Sequence, residues 1–341
     1  MFRKITIIVF ALFILAAFSS LAVAQDQAMI ATGLIYPRGL AYDSAGNLYI
    51  AEAGTGGPTV LEGQDEFGNP ITAGATAQVS LLSADGEQTV ILPNLPSYSG
   101  GPLGAQNLLA TDESLWVVFS EGVTLMPFAW SVVELDAETY RVRHFIDLYT
   151  YEQENNPDGT EEIYSNPHDI AFSPDGLLHI LDTGANTIYT WTADAGLSVF
   201  KVWDNNPVPT GIAFAQDGTL WVSYLGQGIA PGAGYVEHLS ADGTEVLATF
   251  DGYTAVTDVL VAQDGSVYFV ELIGGFGDGG PQDILPGNVH RIVDGAASPV
   301  AEQLPFPFGL AQSPTGELVV SVGSVFVEPG EGGVMRLPAA E

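Results

Sequence analysis

The chain has 341 residues, 41 of them acidic against eight basic, and contains no cysteine. A formal net charge of −33 opposes binding to DNA, RNA or an anionic bilayer and favours cationic partners, although solvation of an exported surface accounts for it more simply. Without cysteine there are no disulfide staples, no thiol nucleophile and no lipid-attached lipoprotein.

Residues 1–24 read as a secretory signal. Arg3 and Lys4 form a basic start, Ile5 to Phe18 is apolar apart from Thr6, and Ala22-Val23-Ala24 supplies a small-x-small site before Gln25. Cleavage there removes two basic and no acidic residues, leaving a charge of about −35. The expected product is secreted or periplasmic, with no stable membrane insertion.

Residues 25–341 are expected to form one domain, because a single pattern recurs along them. PRGLAYDSAGNLYIAE starts at Pro37, AQNLLATDESLWVVFS at Ala105, PHDIAFSPDGLLHILD at Pro167, PTGIAFAQDGTLWVSY at Pro209, VTDVLVAQDGSVYFVE at Val256 and PFGLAQSPTGELVVSV at Pro307. The six copies align over sixteen residues without a gap. Each pairs two runs of strand-forming residues around a tight turn, as at Asp175-Gly176, Asp217-Gly218 and Asp264-Gly265. A third run follows in each unit (Gln78–Leu82, Ser131–Leu135, Thr187–Trp191, Tyr235–Leu239, Asn288–Ile292, Gly333–Leu337), then a turn and a fourth run such as Thr89–Leu92 or Val246–Phe250.

Four antiparallel strands per repeat of roughly 40 to 50 residues is a propeller blade. The fold class is therefore all-β, a six-bladed β-propeller of four-stranded antiparallel blades. The sixth unit lacks a fourth strand, and Met29–Tyr36 is expected to supply it and close the ring. Tyr49, Trp116, His179, Trp221, Tyr268 and Val319 recur at one position of the second strand and are expected between blades, which makes His179 a core residue.

Alternating strand direction puts every long insertion on one face: 53–77, 120–130, 149–166, 225–234, 272–287 and 323–332. Insertions gathered on one face of a repeat array mark a binding face. Near the central channel on that face the second strands end at Glu52, Ser120 (with Phe119 beside it once an offset is allowed), Asp182, Tyr224, Glu271 and Val322. The first strands open with Arg38, Gln106, His168, Thr210, Thr257 and Phe308, followed by Gly39, Asn107, Asp169, Gly211, Asp258 and Gly309.

The candidate binding rim is thus Arg38, Glu52, Gln106, Asn107, His168, Asp169, Asp182, Tyr224, Asp258 and Glu271. Two accounts of it stand. Asn107, Asp169, Asp182, Asp258 and Glu271 are hard oxygen donors suited to Ca²⁺, with His168 able to take a softer ion, and such an ion could polarise an ester or activate water. Alternatively the acids accept backbone hydrogen bonds as part of the repeat architecture, which is the preferred account. Asn155-Asn156-Pro157-Asp158-Gly159 and Gly277-Asp278-Gly279-Gly280 are cation-friendly turns without EF-hand spacing. No nucleophile elbow, phosphate loop, dinucleotide fingerprint or paired-histidine zinc helix occurs.

The hairpin copies resemble NHL-type repeats. The inserts resemble the ScyD/ScyE family through GLIYPRGLAYDSAGNLYIAEAGTGG from Gly33, Leu95-Pro96-Ser97, ENNPDGTEEIYSNPHDIAFSPDGLLHILDTGAN from Glu154, and VPTGIAFAQDGTLWVSYLGQG from Val208. The resemblance implies export and a TolB-like six-bladed fold, without catalytic residues to carry over. Relatives place a cysteine pair in the first insert, which this chain lacks. The expected function is a recognition module, in monomeric form, for a small molecule, glycan or protein. The alternative is a calcium-dependent hydrolase or lactonase at the channel mouth, an analogy at the level of fold.

Overall fold

The computed structural model describes residues 28–64, 69–99, 103–122 and 126–338; the expected signal lies outside them. The chain folds into six antiparallel sheets, five of four strands and one of five, in the manner of a propeller. Sheet three is representative: Pro167–Phe172, Leu178–Asp182, Thr187–Thr192 and Gly196–Val202 lie side by side in chain order. Its first turn is tight because Gly176 takes φ 84°, a region open to glycine without steric cost, and donates its N–H to the Ser173 carbonyl at 2.8 Å.

The other hairpins follow the repeat, with one departure. Pro37 pairs with Glu52, Pro167 with Asp182, Pro209 with Tyr224 and Val256 with Glu271, but Ala105 pairs with Phe119. The second hairpin has a turn one residue shorter, so the gapless alignment slips there. Phe119, not Ser120, is the counterpart of the strand-ending acids.

Sheet six consists of Leu310–Gln312, Leu318–Val322, Gly332–Arg336 and, as its outer strand, Met29–Leu34 from the other end of the chain. Met29 pairs with Met335, Ala31 with Val334 and Leu34 with Gly332. Ala31 and Leu34 are buried beside Val319, Val334, Leu48 and Ile50, so this strand also joins the apolar layer between sheets six and one.

Five further layers lie between successive sheets. Tyr49 and Val79 meet Leu108 and Val117; Trp116 meets Ile170 and Tyr189; Leu181 meets Ile212 and Tyr224; Trp221 meets Val259; Tyr268 meets Leu310 and Val320. Most of the recurrent aromatics sit in these layers, where a large flat ring covers much apolar area. His179 lies against Phe200 and Phe214 at ring distances of 4.9 and 4.7 Å.

Among the described residues, two inserts add longer elements of their own. The first adds the strand Thr59–Gln64 to sheet one. The segment before sheet three contains helix α1 (Leu148–Asn155), capped by Asp147, whose carboxylate accepts from the Thr150 N–H at 2.9 Å and hydroxyl at 2.7 Å. It ends at Asn156 in the left-handed region (φ 40°), and Pro157 cannot continue it. The sequence pattern predicts only a long insertion here, because the buried positions, Leu148 and Glu152, make no apolar stripe.

Candidate functional site

At the openings of the inner strands, side chains are used to join one sheet to the next. Thr257 donates to the Phe308 carbonyl at 2.8 Å, Thr210 to the Val256 carbonyl at 2.8 Å, and Ser321 to the Arg38 carbonyl at 2.7 Å. His168 bonds the Thr210 carbonyl through Nδ1. A carbonyl only accepts, so Nδ1 carries the proton, and Nε2 accepts from Gln106 Nε2 at 2.9 Å. Burial, reinforced by the Arg38 charge, lowers the His168 pKa to about 3, so the ring stays neutral at ordinary pH.

Arg38 lies over the Phe308 ring at 4.3 Å, and the His168 ring is 5.6 Å from the same phenyl. Residues from sheets one, three and six therefore meet at one level of the centre. Burial lowers the Arg38 pKa to about 10. Arg38, Gln106 and Phe308 are buried and His168 half-buried.

One residue further along, the same economy holds. Asn107 Nδ2 donates to Asp169 Oδ1 at 2.7 Å, and the Ile212 N–H of the next sheet donates to Asp169 Oδ2 at 2.6 Å. Asp258 Oδ2 accepts the Leu310 N–H at 2.7 Å. Gly39 and Gly309 let these strands approach: a Cβ on Gly39 would stand 2.0 Å from Asn107 Oδ1, and one on Gly309 would stand 2.6 Å from the Arg38 carbonyl oxygen. Burial and repulsion from Asp258 hold Asp169 well above the usual carboxylate range, and burial raises Asp258 to about 7.

The acids ending the second strands serve the connection that enters each sheet. Glu52 accepts from the Ile35 N–H (2.6 Å), Gln78 (2.8 Å) and Ser80 (2.5 Å). Asp182 accepts from Ser165 and the N–H groups of Asn166, Gly184 and Ala185. Glu271 accepts from the Thr254 N–H, Asn288 and His290. At Tyr224 the hydroxyl donates to Glu237 at 2.8 Å while the ring stacks on Tyr235 at 4.2 Å. Burial raises Glu52 and Asp182 despite these donors. At Glu271 burial also pushes upward, but His290, Asn288 and Thr254 outweigh it and the pKa falls.

The five oxygen-bearing residues considered for Ca²⁺ are thus divided between two tasks. Asn107, Asp169 and Asp258 bond along the inner strands, while Asp182 and Glu271 clamp entering loops. Among the described residues no three of His, Cys, Asp or Glu are grouped to hold a metal.

The inserts above this level are ordered by different means. Leu225, Ile229, Leu272, Ile273, Phe276, Ile284, Phe306 and Val325, from sheets four to six, form one apolar cluster on Phe308. Phe326, 45 % exposed, packs edge-on against Phe306 at 5.3 Å. The first insert is held from a neighbouring strand by Ser97, which donates to the Ala53 carbonyl at 2.7 Å and accepts the Gly56 N–H at 2.8 Å. Hydroxyl bonds of this kind pin the loop without a disulfide.

No protein-family model matches the chain, and no curated protein matches it in sequence. Solved structures match along most of its length. A putative glucose dehydrogenase-type oxidoreductase from Thermus thermophilus gives a TM-score of 0.61 at 16% identity, covering 92% of this chain and 99% of its own. Virginiamycin B lyase from Staphylococcus aureus gives 0.54 at 12% identity, covering 92% and 100%. A calcium-binding regucalcin from Agrobacterium tumefaciens gives 0.53 at 16% identity, covering 92% and 94%. These similarities establish a propeller-type fold. At such identities they carry no activity across.

Proposed function

We propose that this chain is an exported six-bladed β-propeller, closed by its N-terminal strand, that acts as a recognition module of the ScyD/ScyE type. It binds a small molecule, glycan or protein on the face bearing the long inserts. The observation that carries this reading is the use of the rim: the side chains that would perform chemistry at the channel mouth hold neighbouring sheets and loops together. The chemically uncommitted surface is then the inserts, which differ from sheet to sheet as a recognition surface requires. The pairing of Met29–Leu34 with Gly332–Arg336 supports ring closure. No helix among the described residues is long and apolar enough to cross a membrane. The secreted protein is expected to begin at Gln25, which intact-mass measurement checks.

An array of glycans and small molecules tests recognition, using the wild type and a variant with residues 277–283 replaced by a short Gly-Ser link. Binding lost in the variant, with unfolding temperature nearly unchanged, supports the reading. Binding that persists but disappears when the opposite-face turns at Asp85-Gly86 and Asp242-Gly243 are altered overturns it. Lactone or ester turnover abolished by Asp169→Asn with Asp258→Asn would favour the hydrolase instead.

A further inference from the structure

Around the end of α1, three buried side-chain oxygens lack a donor among the described residues, whereas the rim has one, Gln106 Oε1. Glu152 is fully buried; its Oε2 accepts from the Tyr189 hydroxyl at 3.1 Å, and its Oε1 meets no hydrogen-bond donor among the described residues. Asn186, 4 % exposed and three residues before Tyr189, donates Nδ2 to Asp158 Oδ2 at 2.9 Å. That bond fixes the amide orientation, because a carboxylate only accepts, and leaves Asn186 Oδ1 without a donor. Asn156 is fixed likewise by Nδ2 donating to the Thr160 carbonyl at 2.9 Å, and its buried Oδ1 also lacks a donor.

These groups belong to one neighbourhood. The Asn156 N–H bonds the Glu152 carbonyl at 2.8 Å, and Asp158, two residues on, reaches Asn186. The Asp158 and Asp182 charges both bear on Glu152. The carboxy-terminal end of α1, which carries negative partial charge, points into the same region, and no basic residue stands in its last turn. Residues 148–166 include five acids and no Lys, Arg or His.

Buried acceptors without donors are costly, and three borne by residues linked to one another, with negative charge around them and no basic side chain in the insert, favour a positive occupant. We infer that Glu152, Asn156 and Asn186, supported by Asp158, form a Ca²⁺ site that fastens the α1 insert to sheet three. An all-oxygen set of carboxylate and amide carbonyl donors suits a hard ion of this size rather than Zn²⁺ or Cu²⁺. The competing occupant is a proton: burial, with the Asp158 and Asp182 charges, raises Glu152 to about 7. Asp158, Asp182 and Tyr189 are the titratable groups bearing on it.

The test uses the full secreted protein at pH 8, treated with chelator and then titrated with Ca²⁺ or Mg²⁺. Unfolding temperature and Tb³⁺ luminescence, sensitised by Tyr189 and Tyr151, are the readouts. The expected result is a saturable rise of several degrees with Ca²⁺ that Mg²⁺ does not reproduce, and Tb³⁺ emission displaced by Ca²⁺. Both disappear in Glu152→Gln and in Asn186→Ala, and both persist in the remote control Asp85→Asn. Equal shifts from Mg²⁺ and Ca²⁺, or shifts unchanged in a folded Glu152→Gln protein, overturn the site and leave general screening of an acidic chain. If Asn186→Ala fails to fold, Glu152→Gln, which keeps the side-chain shape, decides.

Discussion

Two buried carboxylates on the insert side of sheet three show opposite solutions to one problem. Asp182 ends a strand and receives four donors, three of them backbone N–H groups, so the energy lost on leaving water is offset in large part by the loops it holds. Glu152 sits on α1 a short distance away and receives only the Tyr189 hydroxyl on one oxygen. Burial alone therefore does not mark a site in this protein. What separates architecture from a candidate site is whether each oxygen has a donor.

The contrast is broken most severely at Asp182. Asp182→Ala leaves three backbone N–H groups and a hydroxyl without their acceptor, and is expected to cost about 3–5 kcal/mol in chemical denaturation. A loss below about 1 kcal/mol would mean that the clamp is idle. Ser165→Ala removes a single donor from the same carboxylate and should cost about 1 kcal/mol by the same measurement.

Glu152 should respond to substitution in the opposite sense, the protein gaining stability where loss of Asp182 costs it. Its folded pKa, about 7, lies above the ordinary 4.5, so the folded state binds the proton more tightly than the unfolded one. Stability is then greatest below the unfolded value and falls as pH rises from about 4.5 to about 7. In chelator, Glu152→Gln should flatten that fall and leave the protein about 1–2 kcal/mol more stable than wild type at pH 8. Denaturation midpoints across this range check it; a variant that keeps the wild-type slope contradicts it.

Glu271 gives the smallest and reversed effect. Its bonds hold the folded pKa below the ordinary value, so its contribution is present above the unfolded pKa and fades as pH falls through the folded one. His290→Ala, which removes one of three donors, should weaken this acid-side dependence and cost about 1 kcal/mol at neutral pH.

Much of the fold was legible in the chain. Alternating strand formers around Asp-Gly turns locate the hairpins, and the missing outer strand of the last repeat points to the run from Met29. The slip at Ala105–Phe119 was only half visible because TDES reads as a turn of either length, and only the partner strand fixes register. The candidate rim was found by position, yet nothing in the sequence says which donors reach Glu52, Asp182 or Glu271. Those come from entering connections such as Ile35, Asn166 and Thr254, and in part from side chains on neighbouring strands. Asn155-Asn156-Pro157-Asp158-Gly159 stands out as cation-friendly in the sequence, but its partners Glu152 and Asn186 do not. One lies on a helix without an apolar stripe, the other 28 residues beyond Asp158.

By itself, then, the sequence determined the repeat, the all-β class and the acidic and cysteine-free character. These follow from local periodicity and composition, which a linear chain carries openly. Tertiary structure alone decided which carboxylates are satisfied and which are left with bare oxygens. A hydrogen bond depends on a donor's direction and distance, and in an array of packed sheets those donors arrive from adjacent strands, from the next sheet and from the loops on either side of the acid.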